Sequence, residues 1–491
     1  MRHRLRRAGA FAVVASAALA APALGPAAAA PFAAVAVLAA FVVDEGRFFE
    51  LFARPGDYED RRLNGLAGFA LAATALGVLT ALPKAPMPAT VFAAAVLSLS
   101  YGVLGREFVR ETTSDEFATT TAFAVAAFVA AALGQAGVAV AGGGLDPATA
   151  PAYVFLAATA ALVAALLRSV LFPRDDPIVM VSVGVSLWLL SALVGPDGGV
   201  AVTPTLVAAG LAVTVALGLV SYVLRTASVS GMLTGVLLGL LTVVLGGYGW
   251  FATLISFFAV GGLAAKFRFE EKDARGVAEG NDGARGAGNV LGNSGVALLS
   301  VVAFAAARAT LPGTAVPALL AFAFAGSVAA AMADTLSSEL GGLFDSPRLV
   351  TTLRPVAPGT DGAVTWQGEV AGVAGAALVA VIAALAMPLG SAVVPGVGVG
   401  ASASGDSLAP VAAAVAGAGV VGMTVDSVLG ATVEGGRLGN QTVNALATLS
   451  GAVAGVALAL LLGAASVPTG ATVAAATESL RAAGPLSLPS P

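Results

Sequence analysis

Apolar runs follow one another almost without interruption, near 8–25, 28–43, 64–83, 88–104, 117–141, 149–167, 177–195, 201–224, 229–247, 249–265, 290–307, 314–333, 368–390, 408–428 and 444–465. Most approach the roughly 20 residues a helix needs to cross the hydrocarbon of a bilayer. The pattern predicts an all-α, polytopic transmembrane helical bundle of about 13–15 spans. Polarity divides it into an N-terminal multi-helix membrane region (1–229), a core carrying glycine-rich and acidic loops (230–465) and a flexible C-terminal tail (466–491).

Composition agrees and narrows the chemistry. At 491 residues, 58% hydrophobic and a mean hydropathy of +0.93, the chain is too apolar for an ordinary soluble core. Cysteine is absent and His3 is the sole histidine, which excludes disulfides, thiol nucleophiles, cysteine-held metals and a histidine base within the membrane region. Reactions are left to carboxylates, amides, hydroxyls, Arg, Lys or a bound metal. With the basic start MRHRLRR in the cytoplasm, 21 of the 24 Lys and Arg fall on cytoplasmic segments, leaving only Lys84, Arg308 and Arg481 outside. The expected location is the cell membrane, multi-pass, with the N-terminus and the charged loops cytoplasmic; the first apolar run reads as an uncleaved helix.

Three cytoplasmic segments stand out. In KFRFEEKDARGVAEGNDGARGAGN (266–289), Gly276, Gly280, Gly283, Gly286 and Gly288 interleave with Arg275 and Arg285. Glycines let backbone approach an anion and arginine forks match phosphate oxygens, so the segment reads as a phosphate-binding loop leading into a helix N-terminus. A second segment carries Asp334, Ser338 and Glu339 at the end of one span, then Arg348, Arg354, Asp361 and Glu369; a third carries Asp426, Ser427, Glu434 and Arg437. Carboxylates beside hydroxyls at membrane-embedded helix ends suit Mg²⁺ and phosphate. GNVLGN (288–293) and GNQTVN (439–444) share the form Gly-Asn-x-x-x-Asn, so Asn289 with Asn293 and Asn440 with Asn444 each present two amides on one helix face. Most loops of the first half, such as DEGRFFELFARPGDYEDRRLN, read as solvated connectors or interfacial segments.

These segments, with FAGSVAAAMADTLSSELG, RLVTTLRPVAPGTDGAVTWQGEVAG and GMTVDSVLGATVEG, resemble the signature blocks of an integral membrane family known as domain of unknown function 92. Its plant members are phytyl-phosphate kinases, and the family is similar to phytol and dolichol kinases. The resemblance covers about 230–465 and implies transfer of a γ-phosphoryl group from CTP or another nucleoside triphosphate to phytyl or geranylgeranyl monophosphate, giving the diphosphate. Carried onto this sequence, it implies nucleotide phosphates on Lys272, Arg275, Arg285, Gly286 and Gly288. Mg²⁺ is expected on Asp334 and Asp426 with Glu339 or Glu434, and the acceptor phosphate near Arg348, Arg354 and Asn289. Asn293, Asn440 and Asn444 complete the polar set, and Asp361 is a candidate base, though an ionised phosphate acceptor needs none. No Walker A loop is present. The implied partners are membrane lipid, an isoprenyl phosphate and the nucleotide, with no nucleic acid. Three other readings stay open: a polyprenol kinase or lipid cytidylyltransferase; a transporter of a small or lipidic anion, which needs a polar site at the bilayer midplane; and a lipid-binding scaffold without turnover.

Overall fold

The computed structural model describes residues 2–172, 175–194, 199–278, 284–311, 314–389, 405–434 and 436–465. The tail from 466, expected to be flexible, and Gly280 and Gly283 of the glycine-rich loop lie outside the described residues. The chain forms a polytopic helical bundle, with 13 helices long and apolar enough to span a membrane among the described residues. Two apolar segments that hydropathy counts as spans are shorter helices, α2 (Ala30–Phe41) and α3 (Asn64–Leu79). Twelve residues of helix extend only about 18 Å, well short of a 30 Å hydrocarbon core.

The chain divides into two compact units, 1–209 and 210–491. In the first, α1 (Arg2–Ala15), α4 (Ala89–Val109), α5 (Glu116–Ala141), α6 (Ala150–Val170) and α7 (Asp176–Val194) join the two short helices. Arg7 Nη1 donates to the Ala53 carbonyl at 2.9 Å, and Arg54 pairs with Asp176 at 2.7 Å. Segments that charge parity assigns to one side therefore do meet at one end of this unit.

In the second unit, α8 (Pro204–Val223), most of which belongs here, is followed by α9 (Val229–Gly246), α10 (Tyr248–Lys266) and the short α11 (Phe269–Ala274). Then come α12 (Ala287–Thr310), α13 (Val316–Gly341), a two-residue hairpin β1 (Arg348–Leu349) with β2 (Ala363–Val364), α14 (Trp366–Ala386), α15 (Gly405–Thr432) and α16 (Asn440–Leu461). Helix α13 packs against α12, α14, α15 and α16 and is buried along most of its length. Lipid offers no hydrophobic drive for helices to associate, so close backbone approach must supply the contact. Small residues provide it: a Cβ on Gly451 of α16 would come within 2.7 Å of the Gly326 carbonyl oxygen of α13, and one on Gly422 of α15 would meet the Ala447 carbonyl at 3.0 Å. Near the start of α10 Trp250, 1% exposed, lies between Phe304 and Phe324 with ring centroids 4.4 and 4.6 Å away.

Candidate functional site

The alternation of helix directions in the second unit brings two helix starts, α12 and α16, to the same end as two helix finishes, α13 and α15. Gly286 and Gly439, both extended, precede the two starts. The paired asparagines then fold onto their own helices. Asn293 Nδ2 donates to the Asn289 carbonyl at 3.0 Å and to its Oδ1 at 3.4 Å, while Asn444 Nδ2 donates to Asn440 Oδ1 at 3.3 Å. The two motifs lie side by side: Thr448 Oγ1 donates to the Gly292 carbonyl at 3.4 Å, and a Cβ on Gly292 would be 2.9 Å from the Gln441 carbonyl. Gly288 packs against the Gln441 side chain, so it serves this helix pair, whereas Gly286 is open.

Asp334 and Asp426 stand seven and six residues before the ends of α13 and α15, about 10 Å back along the helices. Their carboxyls line the same two cavities, near enough for the charge of each to bear on the other. Two bare carboxylates so placed repel, which a shared proton or a cation relieves. Asp426 Oδ1 is buried and has no hydrogen-bond partner among the described residues. The pair forms the partition between two cavities. One, of about 240 Å³, is lined by Arg285, Asn289, Asn293, Thr335, Glu339, Asn440 and Asn444 as well as the two aspartates. The other, of about 430 Å³, adds Ser337, Thr360, Asp361, Ser427 and Glu434. The N-termini of α12 and α16 supply Asn289 and Asn440 to this space, and the positive ends of their dipoles favour anions there.

Arg285 is 7% exposed and its guanidinium lies 5.4 Å from the centre of the Phe257 ring. Its backbone is fixed in a bridge to the start of α9, accepting from Ser228 N at 3.1 Å and donating to the Thr226 carbonyl at 3.0 Å. It also lines a third, mostly apolar cavity with Leu217, Met232, Phe251, Ile255 and Phe258. Arg285 therefore borders both the polar cavity and an apolar groove of the same unit.

Not every expected ligand is available. Lys272 is 1% exposed and its ammonium donates to the Ala264 and Ala265 carbonyls at 3.0 and 2.8 Å and to Glu339 Oε2 at 2.5 Å. This ties the end of α10 to the end of α13 through α11, and it occupies both Lys272, expected on nucleotide, and Glu339, expected on metal. Arg275 pairs with Glu271 and with Asp345 at 3.1 Å. Arg348 Nη1 donates to the Leu353 carbonyl at 2.7 Å within its own hairpin, and Arg354 is exposed; neither lines the cavity that contains Asn289. Glu434 follows the end of α15. Partial burial pushes its carboxyl above the ordinary range, nearby Asp361 and Asp426 add to the rise, and a hydrogen bond with Asn440 opposes it. Thr335 and Ser337, in contact with the same cavities, carry a signal only in retrospect, as hydroxyls one and three residues after Asp334.

The profile of the family described as Integral membrane protein DUF92 matches residues 212–452, almost the whole described part of the second unit. An uncharacterized membrane protein of Methanocaldococcus jannaschii is 33% identical over 229 residues, 46% of this chain and 83% of that protein. A second, from Synechocystis, is 30% identical over 215 residues, 43% of this chain and 74% of that protein. The chloroplastic protein VTE6 of Arabidopsis thaliana is 35% identical over 146 residues, 30% of this chain and 43% of that protein. No solved structure matches.

Proposed function

We propose, from the premise that this chain belongs to the DUF92 family of integral membrane proteins, that it is a membrane-embedded isoprenyl-phosphate kinase. The observation that carries the reading is the position of Arg285 between a polar, carboxyl-containing cavity and an apolar groove. A substrate with a phosphate head and a hydrocarbon tail fits that junction, and phytyl or geranylgeranyl monophosphate has this form. The resemblance to phytyl-phosphate kinases points to the same class.

In the proposed reaction an oxygen of the acceptor monophosphate attacks the γ-phosphorus of CTP or another nucleoside triphosphate. The bond from that phosphorus to the β–γ bridging oxygen breaks, and the products are the isoprenyl diphosphate and a nucleoside diphosphate. The acceptor is already ionised, so no proton need be removed and Asp361 is not required as a base. Catalysis of this kind rests on position and charge. Arg285 and the N-termini of α12 and α16 offer positive potential to phosphate oxygens, and the amides of Asn289 and Asn440 offer directed donors.

Magnesium fits Asp334 and Asp426, because a carboxyl pair with an unpartnered buried oxygen suits a hard cation. Among the described residues no group of three or more His, Cys, Asp or Glu could hold a metal. The remaining ligands would be water and substrate phosphate, as magnesium commonly has it. When bound, the ion would neutralise charge on the transferring phosphoryl group. A site at the helix ends also favours an enzyme facing the cytoplasmic nucleotide pool over a midplane transporter.

The test is transfer of labelled γ-phosphate from CTP or ATP, with Mg²⁺, by purified protein in detergent. Diphosphate formed from phytyl or geranylgeranyl monophosphate and lost in Asp334→Asn is the expected result. Product from the free alcohols alone would replace the reading with a polyprenol kinase, and no transfer by folded protein would overturn both.

A further inference from the structure

The first unit, outside the segment the family profile matches, has its own concentration of charge. Arg4 and Arg7 at the start of α1, Arg54 from the following loop, Arg106 and Arg110 from the end of α4, and Arg168 from the end of α6 surround one cavity of about 520 Å³. The acids on its wall are Glu107 and Asp176. Both are committed: Asp176 to Arg54 at 2.7 Å and Arg168 at 3.5 Å, Glu107 to Arg110 at 3.0 Å and Arg106 at 3.6 Å.

Part of this charge has a structural reason. Arg168 Nη1 donates to the Leu171 carbonyl at 3.3 Å, as basic groups do at helix C-termini, and arginines anchor membrane boundaries. That explanation does not reach the surplus. Among the described residues six arginines face two carboxylates around one space, and the buried Nε atoms of Arg106 and Arg168 reach Glu107 and Asp176 only at 3.6 and 3.5 Å, too far and too poorly aligned for a hydrogen bond. The Arg168 side chain is only 4% exposed. Guanidinium groups held together at this depth repel one another unless an anion joins them. The rest of the lining is largely apolar, with Ala8, Phe11, Phe69, Leu99 and Val103, and the Arg54 guanidinium lies 5.6 Å from the centre of the Phe11 ring.

We propose that this cavity binds a phosphate group, and that the apolar lining selects one carried by an amphiphile, namely the phosphate head of an anionic lipid. Arginine forks give paired donors to phosphate oxygens, and basic pockets between membrane helices are suited to lipid heads. The inference is independent of the kinase reading, since it uses no residue of the second unit.

The experiment uses the full chain in lipid nanodiscs of phosphatidylcholine doped with either phosphatidic acid or diacylglycerol, with retained lipid counted by native mass spectrometry. Inorganic phosphate is titrated separately against thermal unfolding. Phosphatidic acid should be retained and diacylglycerol should not. Arg106→Gln should weaken retention on the order of 10- to 100-fold, the worth of one or two charge-assisted hydrogen bonds. Arg110→Gln, at the exposed rim, should weaken it less while keeping the fold, which guards against misreading an unfolded Arg106 variant. Stabilisation by inorganic phosphate with the same arginine dependence, without lipid retention, would uphold the phosphate site and assign it a soluble source. Equal retention in wild type and both variants, or retention of diacylglycerol as well, would overturn the proposal.

Discussion

The two units collect ionisable groups at helix ends in opposite proportions. Among the described residues the cavity of the first unit carries six arginines and two acids, whereas the polar cavity of the second has Arg285 as its lone lining cation, against Asp334, Glu339 and Asp426. A surplus of guanidinium asks for an anion alone. Neighbouring carboxyls beside helix N-termini suit a cation and an anion at once, as the proposed metal-assisted phosphoryl transfer requires. On the two proposals, the sign of the imbalance, more than the number of charges, distinguishes a binding site from a reacting one.

The hardest way to break that comparison is at the carboxyl pair. Asp334→Asn and Asp426→Asn should each lower phosphoryl transfer on the order of 10²–10³-fold or more, measured with labelled nucleotide on protein that still elutes as a single species. Transfer at wild-type rate would reduce the second unit's cluster to packing. A next test separates ions that act from ions that hold. Lys272→Met leaves Glu339 without its partner and should cost about 3–5 kcal/mol in detergent unfolding, whereas adding Glu339→Leu should recover most of it. Equal loss in the single and double variants would contradict a purely structural pair.

Packing offers a smaller effect. Gly326→Val should destabilise by about 1–3 kcal/mol and lower transfer as α13 and α16 are forced apart, while Gly295→Ala, with nothing within 4 Å, should leave unfolding unchanged. Gly105 in the first unit has the same crowding, with the Ala122 carbonyl 2.8 Å from its would-be Cβ, so Gly105→Val should cost a similar amount of stability. The smallest effect concerns pH. Glu434 has a raised folded pKa, so its contribution to stability is present at acid pH and is lost as pH rises past the ordinary carboxylate range. Glu434→Gln should therefore raise the unfolding temperature slightly at neutral pH and leave it unchanged at acid pH.

Much of this was legible from the residues, and the exceptions have physical causes. Span positions are written in hydropathy, and the convergence of Asp334, Asp426 and the two Asn pairs follows from the alternation of helix direction alone. Helix α2 was overcounted because composition reports apolarity and not the length that stays helical; Ser16–Ala20 and Gly25–Ala27 are tight 3₁₀ turns that consume the approach to it. The Lys272–Glu339 pair was illegible because its members are 67 residues apart and nothing local distinguishes a lysine that will be buried. Arg348, expected near the acceptor phosphate, donates to the Leu353 carbonyl of its own hairpin, a local contact that its sequence neighbours do not announce. Gly422 and Gly430 sit against Ala330 and Gly362, close approaches that only small residues allow and that no local pattern marks.

The contacts among α13, α15 and α16 have one further consequence. They are made by Gly326, Ala330, Gly422, Ala447 and Gly451, side chains with no rotamers to lose. Ordering a long side chain costs up to about 1.5–2 kcal/mol in entropy, and ordering alanine or glycine costs essentially none. The helices that carry Asp334 and Asp426 thus dock with little side-chain disorder to surrender, and the carboxyls inherit their spacing from peptide backbone, which has no alternative conformer to drift into.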